Sequence, residues 1–248
     1  MSSPTPPSPT ARTVSLTERR KAATRMDIAR AAAGLFVRDG LRATRAEDIA
    51  QAAGIAPRTF YRYFATKEEA VAPLYAAGAQ LWAEAVREAP ADLSVVRALE
   101  HAVRDTLTPG GAVSAASWEW VRVLIRLAET SPGLRKVWAE VCQAGERTLA
   151  EVLRERRGLV AQGDDNVAEG PAPASAPVPV PAPTHAPAPA PDLRFTAAVA
   201  SAAVRTAVEV WAAGDAPASG PDGPVELALR NLGALGEFPW EGGRGRPS

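Results

Sequence analysis

The sequence predicts an all-α protein. Apolar residues recur at helical spacing in one segment after another, and no run of alternating β-branched residues appears. About 46% of the 248 residues are apolar, and alanine dominates that fraction, which favours close packing of helices. The length suffices for one large domain or two small ones. We therefore expect a core built from helices alone.

Charge is distributed unevenly along the chain, although the formal net charge is zero. Residues 11–67 carry twelve Lys and Arg against five Asp and Glu, a net of +7. Residues 68–248 carry sixteen against twenty-three, a net of −7. A basic N-terminal part on an acidic body suggests a polyanionic partner for that part, the alternative being a chance fluctuation of surface charge.

The first helix is predicted to follow a disordered tail. Residues 1–16 are rich in Pro, Ser and Thr and have no periodicity. From Thr17, a plausible N-cap, apolar residues such as Ile28 and Phe36 lie on one helical face. Gly40 is predicted to end this helix.

A second helix is predicted from about Arg45 to Ala53. Thr44 can cap it, and Glu47 stands at the capping-box spacing. Gly54 supplies the left-handed turn that a helix end often needs. The residues expected to face inward are Ile49, Ala52 and Ala53.

The third helix opens at Pro57 and ends near Phe64, so it is too short to be stable alone in water. At 100° per residue, Phe60 and Phe64 point together into the first two helices. The outward set is Arg58, Thr59, Arg62 and Tyr63, with Tyr61 at the boundary.

Helix, glycine turn and a short cationic helix form a helix-turn-helix pattern. The major groove of DNA admits one helix, arginine pairs well with guanine, and tyrosine or threonine hydroxyls can donate to phosphates. The pattern therefore predicts double-stranded DNA as the partner of the N-terminal domain, here taken as residues 17–66.

The segment ATRAEDIAQAAGIAPRTFYRYFATKEEAV, residues 43–71, resembles the DNA-binding segment of the tetracycline-repressor-like (TetR) regulators. The Ala-Gly pair, the Tyr-x-Tyr-Phe run and the following Lys-Glu match in order. Two positions depart from the family pattern, since Tyr63 replaces a common His and Ala56 replaces a polar cap. The resemblance implies an all-helical dimer with a DNA-binding head and a ligand-binding, dimerising body.

The resemblance also carries DNA contacts onto this chain. Lys67, at the start of helix four, would join the outward residues of the third helix. The full predicted set is Thr44, Arg45, Pro57, Arg58, Thr59, Tyr61, Arg62, Tyr63 and Lys67.

Six further helices are predicted in a regulatory and dimerisation domain over residues 67–240. A Pro/Ala-rich insertion at 163–191 interrupts the domain, and a tail follows at 241–248; both are predicted to be disordered. The predicted helices span 67–88, 93–107, 117–129, 134–157, 193–213 and 224–235. The last two are expected to form a homodimer interface through Ala197, Ala200, Val204, Val208 and Trp211, and through Leu227, Leu229, Leu232 and Leu235.

Candidate residues for a small-molecule pocket are aromatic or polarizable side chains of the predicted bundle, with ordinary core packing as the alternative. They are Trp82, Trp118, Trp120, Trp138 and Cys142. His101 and His185 lie far apart and Cys142 is the only cysteine, so no metal-ligand spacing exists. No catalytic constellation, cofactor motif or membrane span is indicated.

The sequence thus predicts a cytoplasmic transcriptional regulator, more specifically a repressor, that leaves a palindromic operator when it binds an unidentified small molecule. The absence of a secretory signal and the single cysteine favour the cytoplasm. Two alternatives are a DNA-binding dimer without an effector and a helical enzyme.

Overall fold

The computed structural model describes residues 15–110, 115–165, 191–236 and 238. The chain divides into two compact units, Met1–Leu74 and Tyr75–Ser248. The remainder of the predicted N-terminal tail, residues 166–190 of the predicted insertion and the predicted tail at 241–248 lie outside the described residues.

Every regular element in the described part of the chain is helical, which confirms the predicted fold class. A single 3-10 turn, Glu69–Val71, precedes the fourth α-helix. The α-helices are α1 (Leu16–Asp39), α2 (Ala46–Ala52), α3 (Pro57–Tyr63), α4 (Ala72–Glu88), α5 (Val95–Leu107), α6 (Ala115–Thr130), α7 (Pro132–Asp165), α8 (Pro191–Ala213) and α9 (Pro224–Ala234).

Helix α1 begins earlier than the sequence predicts. Ser15 is the N-cap, and its hydroxyl accepts a hydrogen bond from the Glu18 N–H at 3.2 Å. The predicted cap at Thr17 and the predicted disorder at residues 15–16 are therefore wrong. Gly40 ends the helix as predicted, with a φ of 82° that favours glycine.

Helix α2 is capped differently from the prediction. Arg45 is the N-cap, and its backbone N–H donates to the Asp48 carboxylate at 2.8 Å. The predicted cap, Thr44, instead donates its hydroxyl to the Gly40 carbonyl at 2.9 Å. The inward face is Ile49 and Ala50. Ala52, predicted to face inward, is exposed, and Ala53 is half-buried.

Helix α3 has only seven residues and is held by burial of its aromatic side. Phe60 is fully buried and Phe64 is 3% exposed, as predicted, and their ring centroids are 5.8 Å apart. From α1, Arg25 donates to the Tyr63 carbonyl at 3.0 Å and lies 4.5 Å over the Phe64 ring. These contacts fix both the position and the carboxyl end of α3.

The C-terminal unit has a core built from five helices. Buried side chains of α4, α5, α7, α8 and α9 meet in one cluster that includes Trp82, Leu99, Leu149, Ala200 and Leu232. A second cluster joins α6 to α8, with Trp118 and Trp211 edge to face at 5.3 Å. Helix α8 takes part in both clusters and is therefore the central element of this unit.

Helices α7 and α8 reach further toward the Pro/Ala-rich segment than predicted. Helix α7 continues to Asp165, since isolated glycines such as Gly158 lower helix stability by about 1 kcal/mol without ending a helix. Helix α8 starts at Pro191, a residue that suits the first helical position.

The predicted dimer stripe of α8 packs inside its own unit. Its members, Ala197, Ala200, Val204, Val208 and Trp211, are each at most 9% exposed. On α9, Leu232 is fully buried, and Leu227, Leu229 and Leu235 are packed against the core of the same unit. Burial in the protomer's own core leaves this stripe no free surface for a second chain, so that part of the interface prediction is wrong.

Replacing Phe60 with alanine tests the account of α3. The change removes a fully buried ring, and we expect the unfolding free energy of the N-terminal unit to fall by about 3–5 kcal/mol. Chemical denaturation, with hydrogen exchange of the α1–α3 amides as the local readout, measures this. Arg58→Ala, on the exposed side of the same helix, is the control. An equal response of the two variants would contradict the inside–outside assignment.

Candidate nucleic-acid interface and ligand cavity

The exposed side of α3 carries a row of hydrogen-bond donors. Arg58, Tyr61 and Arg62 are exposed, whereas Thr59 and Tyr63 are half-buried. The Arg62 guanidinium lies 5.6 Å from the centre of the Tyr63 ring, which restricts both side chains. The helix thus presents two cations and phenolic hydroxyls on the side opposite its buried ring.

A carboxylate lies among these donors. The Tyr61 hydroxyl donates to Glu47 Oε1 at 3.3 Å, and Arg45 Nε is 3.8 Å from Glu47 Oε2. The contact links the start of α2 to the exposed side of α3. The sequence predicts Glu47 as a capping-box residue, so its contact with Tyr61 on this surface was not predicted.

Arg25 was also missed as a residue of the site. It holds α3 through Tyr63 and Phe64, 38 residues along the chain. No local pattern in α1 distinguishes this arginine from its exposed neighbours, because the contact depends on tertiary packing.

Lys67 and Thr44 are engaged within the protein. The Lys67 ammonium donates to the Leu41 carbonyl at 2.7 Å and to the Thr44 carbonyl at 2.9 Å. The Thr44 side chain is 2% exposed, so its hydroxyl lies inside the fold and not beside the exposed donors. Two of the three Lys67 donors therefore stabilise the turn before α2, and its contact with DNA remains a prediction.

A cavity of about 720 Å³ lies within the C-terminal unit between α6, α7 and α8. Its walls combine apolar and charged side chains. They are Ile125, Ala128 and Glu129 of α6, Arg135, Trp138, Ala139, Glu140, Cys142, Gln143 and Glu146 of α7, and Arg205 and Glu209 of α8.

Trp138 is held firmly on one wall of this cavity. Its indole N–H donates to Glu209 Oε1 at 2.7 Å, and the Tyr75 ring meets it edge-on at 4.9 Å. The Tyr75 hydroxyl in turn donates to the Leu124 carbonyl at 3.0 Å. Burial raises the pKa of the Cys142 thiol to about 12, so the thiol is neutral at physiological pH and is not a reactive nucleophile.

Only part of the predicted pocket set comes together here. Trp138 and Cys142 line the cavity. Trp82 and Trp118 lie instead in the two hydrophobic clusters, where ordinary packing describes them, and Trp120 is 37% exposed. Helical spacing identifies apolar positions but does not distinguish a cavity wall from a filled core.

Neither a metal-binding cluster nor a membrane span occurs among the described residues. No group of three or more His, Cys, Asp or Glu side chains is placed to hold a metal ion there. No helix in the same residues combines the length and apolar character that a membrane span requires.

Both the N-terminal unit and the fold are similar to those of known proteins. Residues 28–72 match the family described as bacterial regulatory proteins, tetR family. The transcriptional regulator TcmR of Streptomyces glaucescens is 30% identical over 146 residues, which cover 58% of this chain and 65% of that protein. This alignment spans slightly less than two thirds of the length of TcmR.

Solved structures share the fold at lower identity. Thermus thermophilus FadR, a repressor crystallised with lauroyl-CoA, superimposes with a TM-score of 0.51 at 22% identity, covering 90% of this chain and 99% of that one. Salmonella enterica GusR gives a TM-score of 0.50 at 18% identity, covering 87% and 95%. At these identities, the likeness concerns the fold.

Lys67→Met tests the internal role of this lysine while keeping its apolar stem. Loss of two hydrogen bonds from a charged donor should lower the stability of the N-terminal unit by about 1–3 kcal/mol, measured by denaturant unfolding. Arg62→Met, an exposed cation of α3, is the matched control. If Lys67 serves DNA alone, stability will be unchanged and only the salt dependence of DNA binding will fall.

Proposed function

Because the chain belongs to the tetR family of bacterial regulatory proteins, we propose that it is a DNA-binding transcriptional regulator that acts as a repressor. The observation that carries the proposal is α3, whose aromatic side is buried while Arg58, Tyr61 and Arg62 remain exposed. A short helix held in this way suits insertion into a major groove.

Base reading and phosphate binding are assigned to different residues of this surface. We assign base reading to Arg58, which is exposed near the amino end of α3, because arginine pairs with guanine through two hydrogen bonds. Arg45, Arg62 and the two tyrosine hydroxyls supply phosphate contacts, which orient the protein without selecting a sequence.

Arg58→Ala should weaken operator binding by about 1–3 kcal/mol and relax base preference at one position per half-site. Titration of operator and random duplexes over a range of salt concentrations measures both effects. Arg30→Ala, an exposed α1 residue paired with Asp27, is the control for loss of one positive charge. An equal loss on operator and random DNA would remove the base-reading role of Arg58.

We place the homodimer interface on the outward side of α8 and on α9. Phe195 and Val210, near the two ends of α8, are large apolar side chains that are 63% and 56% exposed. Val199, Ala202 and Thr206 lie between them at helical spacing. A two-fold dimer would present two heads to half-sites about 34–36 Å apart, or a multiple of this distance.

Val210→Glu tests this face directly. Two-fold symmetry places the new carboxylate in the interface twice, and we expect the dimer dissociation constant to rise at least about 100-fold in sedimentation experiments. Val37→Glu, at a 38% exposed position of α1, is the control. A Val210→Glu dimer as tight as the control would place the interface elsewhere.

The α6–α7–α8 cavity is the proposed effector site. Its volume lies within the range of about 300–1,000 Å³ found for small-molecule pockets. The fold accommodates organic ligands, since the Thermus FadR structure is a complex with lauroyl-CoA. An effector would release the operator if it binds more tightly to a conformation of the dimer with lower DNA affinity.

A further inference from the structure

Charge on the cavity walls is not balanced. Four carboxylates line the cavity against two guanidinium groups, an excess of two negative charges. The carboxylates belong to Glu129, Glu140, Glu146 and Glu209, and the guanidinium groups to Arg135 and Arg205.

Two of the four carboxylates, those of Glu129 and Glu146, have no ion-pair partner among the described residues, and Glu129 is exposed to solvent. The carboxylate of Glu209 accepts the Trp138 indole N–H and faces Arg205 at 3.5 Å. Glu140 pairs with Lys136 at 3.8 Å. Glu146 makes no ion pair or hydrogen bond with any described residue, although it is half-buried and near the Cys142 thiol, whose pKa its charge helps to raise. A charge in this position is stabilised by an opposite charge entering the cavity.

The remaining walls favour an apolar or aromatic ligand body. Ile125 and Ala128 are buried side chains of the α6 wall. The Trp138 N–H is already donated to Glu209, so the indole offers a ligand its ring and not its donor. An indole face attracts cations.

An anionic ligand would find few free donors in this cavity. Of the two guanidinium groups, Arg135 is exposed and donates to the Glu129 carbonyl, and Arg205 is shared with Glu209. Both Glu146 and Glu209 would repel the incoming charge. The Cys142 thiol is a weak donor. The balance of charge and donors therefore favours a cation.

We propose that the α6–α7–α8 cavity binds an organic cation with an apolar or aromatic body, its charge beside Glu146 and its body against Trp138 and Ile125. This assigns a ligand class to the effector site and rests on the proposed function only for its consequence on DNA binding.

Two probes of the same shape and opposite charge test the ligand class. Tetraphenylphosphonium and tetraphenylborate differ mainly in the sign of their charge, so hydrophobic binding alone would not separate them. In calorimetry with the full chain, we expect one phosphonium per protomer and at least tenfold weaker binding of the borate. Equal or tighter binding of the borate, or no binding of the phosphonium, would overturn the proposal.

Substitution of one carboxylate tests the site. Glu146→Gln should weaken phosphonium binding about tenfold and leave the thermal melting curve nearly unchanged, because this carboxylate has no partner among the described residues. Glu151→Gln, at an exposed position of the same helix outside the cavity lining, is the matched control and should change binding less than twofold. Phosphonium binding that is insensitive to Glu146→Gln would place the ligand elsewhere and refute the assignment.

Operator titrations separate this inference from the proposed function. Failure of the wild-type chain to bind any DNA selected from a genomic pool would refute the regulator, whereas the calorimetric result would still decide the ligand class. Phosphonium binding that lowers operator affinity in wild type, and does so less in Glu146→Gln at the same concentration, supports both.

Discussion

A seven-residue helix has almost no stability of its own in water, and the N-terminal unit depends on overcoming this constraint. Phe60 supplies buried area, Phe64 extends it, and Arg25 ties the carboxyl end of α3 to α1. Because these contacts all lie on one side, the opposite side keeps Arg58 and Arg62 exposed, and the Tyr61–Glu47 hydrogen bond links it to α2. Two buried phenylalanines and two tyrosines thus place four of the chain's fourteen aromatic residues within five positions, and the exposed Arg58, Tyr61 and Arg62 are available to a ligand.

Helix α8 has a comparable double role in the C-terminal unit. Its inward side completes two hydrophobic clusters, and its carboxyl end is held from α6, where Arg126 donates to the Ala212 carbonyl at 2.5 Å and pairs with Asp215 at 2.9 Å. Helix α6 also forms one wall of the cavity. A ligand that displaces α6 would therefore shift the end of α8, the helix that carries the proposed dimer face. In the proposed dimer, these contacts would couple ligand occupancy to dimer geometry.

Helical periodicity was sufficient to predict the fold class and the burial of Phe60 and Phe64, because both depend on local spacing and on one apolar side per helix. Helical periodicity failed where more than one residue could cap a helix or more than one surface could cover it. Ser15, not Thr17, caps α1, and α8 buries the small-residue stripe that was assigned to a second chain. Apolar periodicity shows that one side of a helix is buried, but it does not show which partner covers that side. Only two of the five predicted pocket residues, Trp138 and Cys142, line the cavity, because the sequence does not distinguish a tryptophan in a filled core, such as Trp82, from one on a cavity wall.

The charge asymmetry of the chain connects its two proposed ligands. Residues 11–67 have a net charge of +7 and the remainder −7, so a polyanion is attracted to the first part and repelled by the second. The excess of carboxylates around the α6–α7–α8 cavity is part of the net negative charge of residues 68–248. The negative field of this body, which repels DNA, would attract a cationic effector, so the two requirements do not conflict. An anionic effector would have to overcome that field, and the two guanidinium groups of the cavity offer little compensation, since Arg205 is shared with Glu209 and Arg135 is exposed.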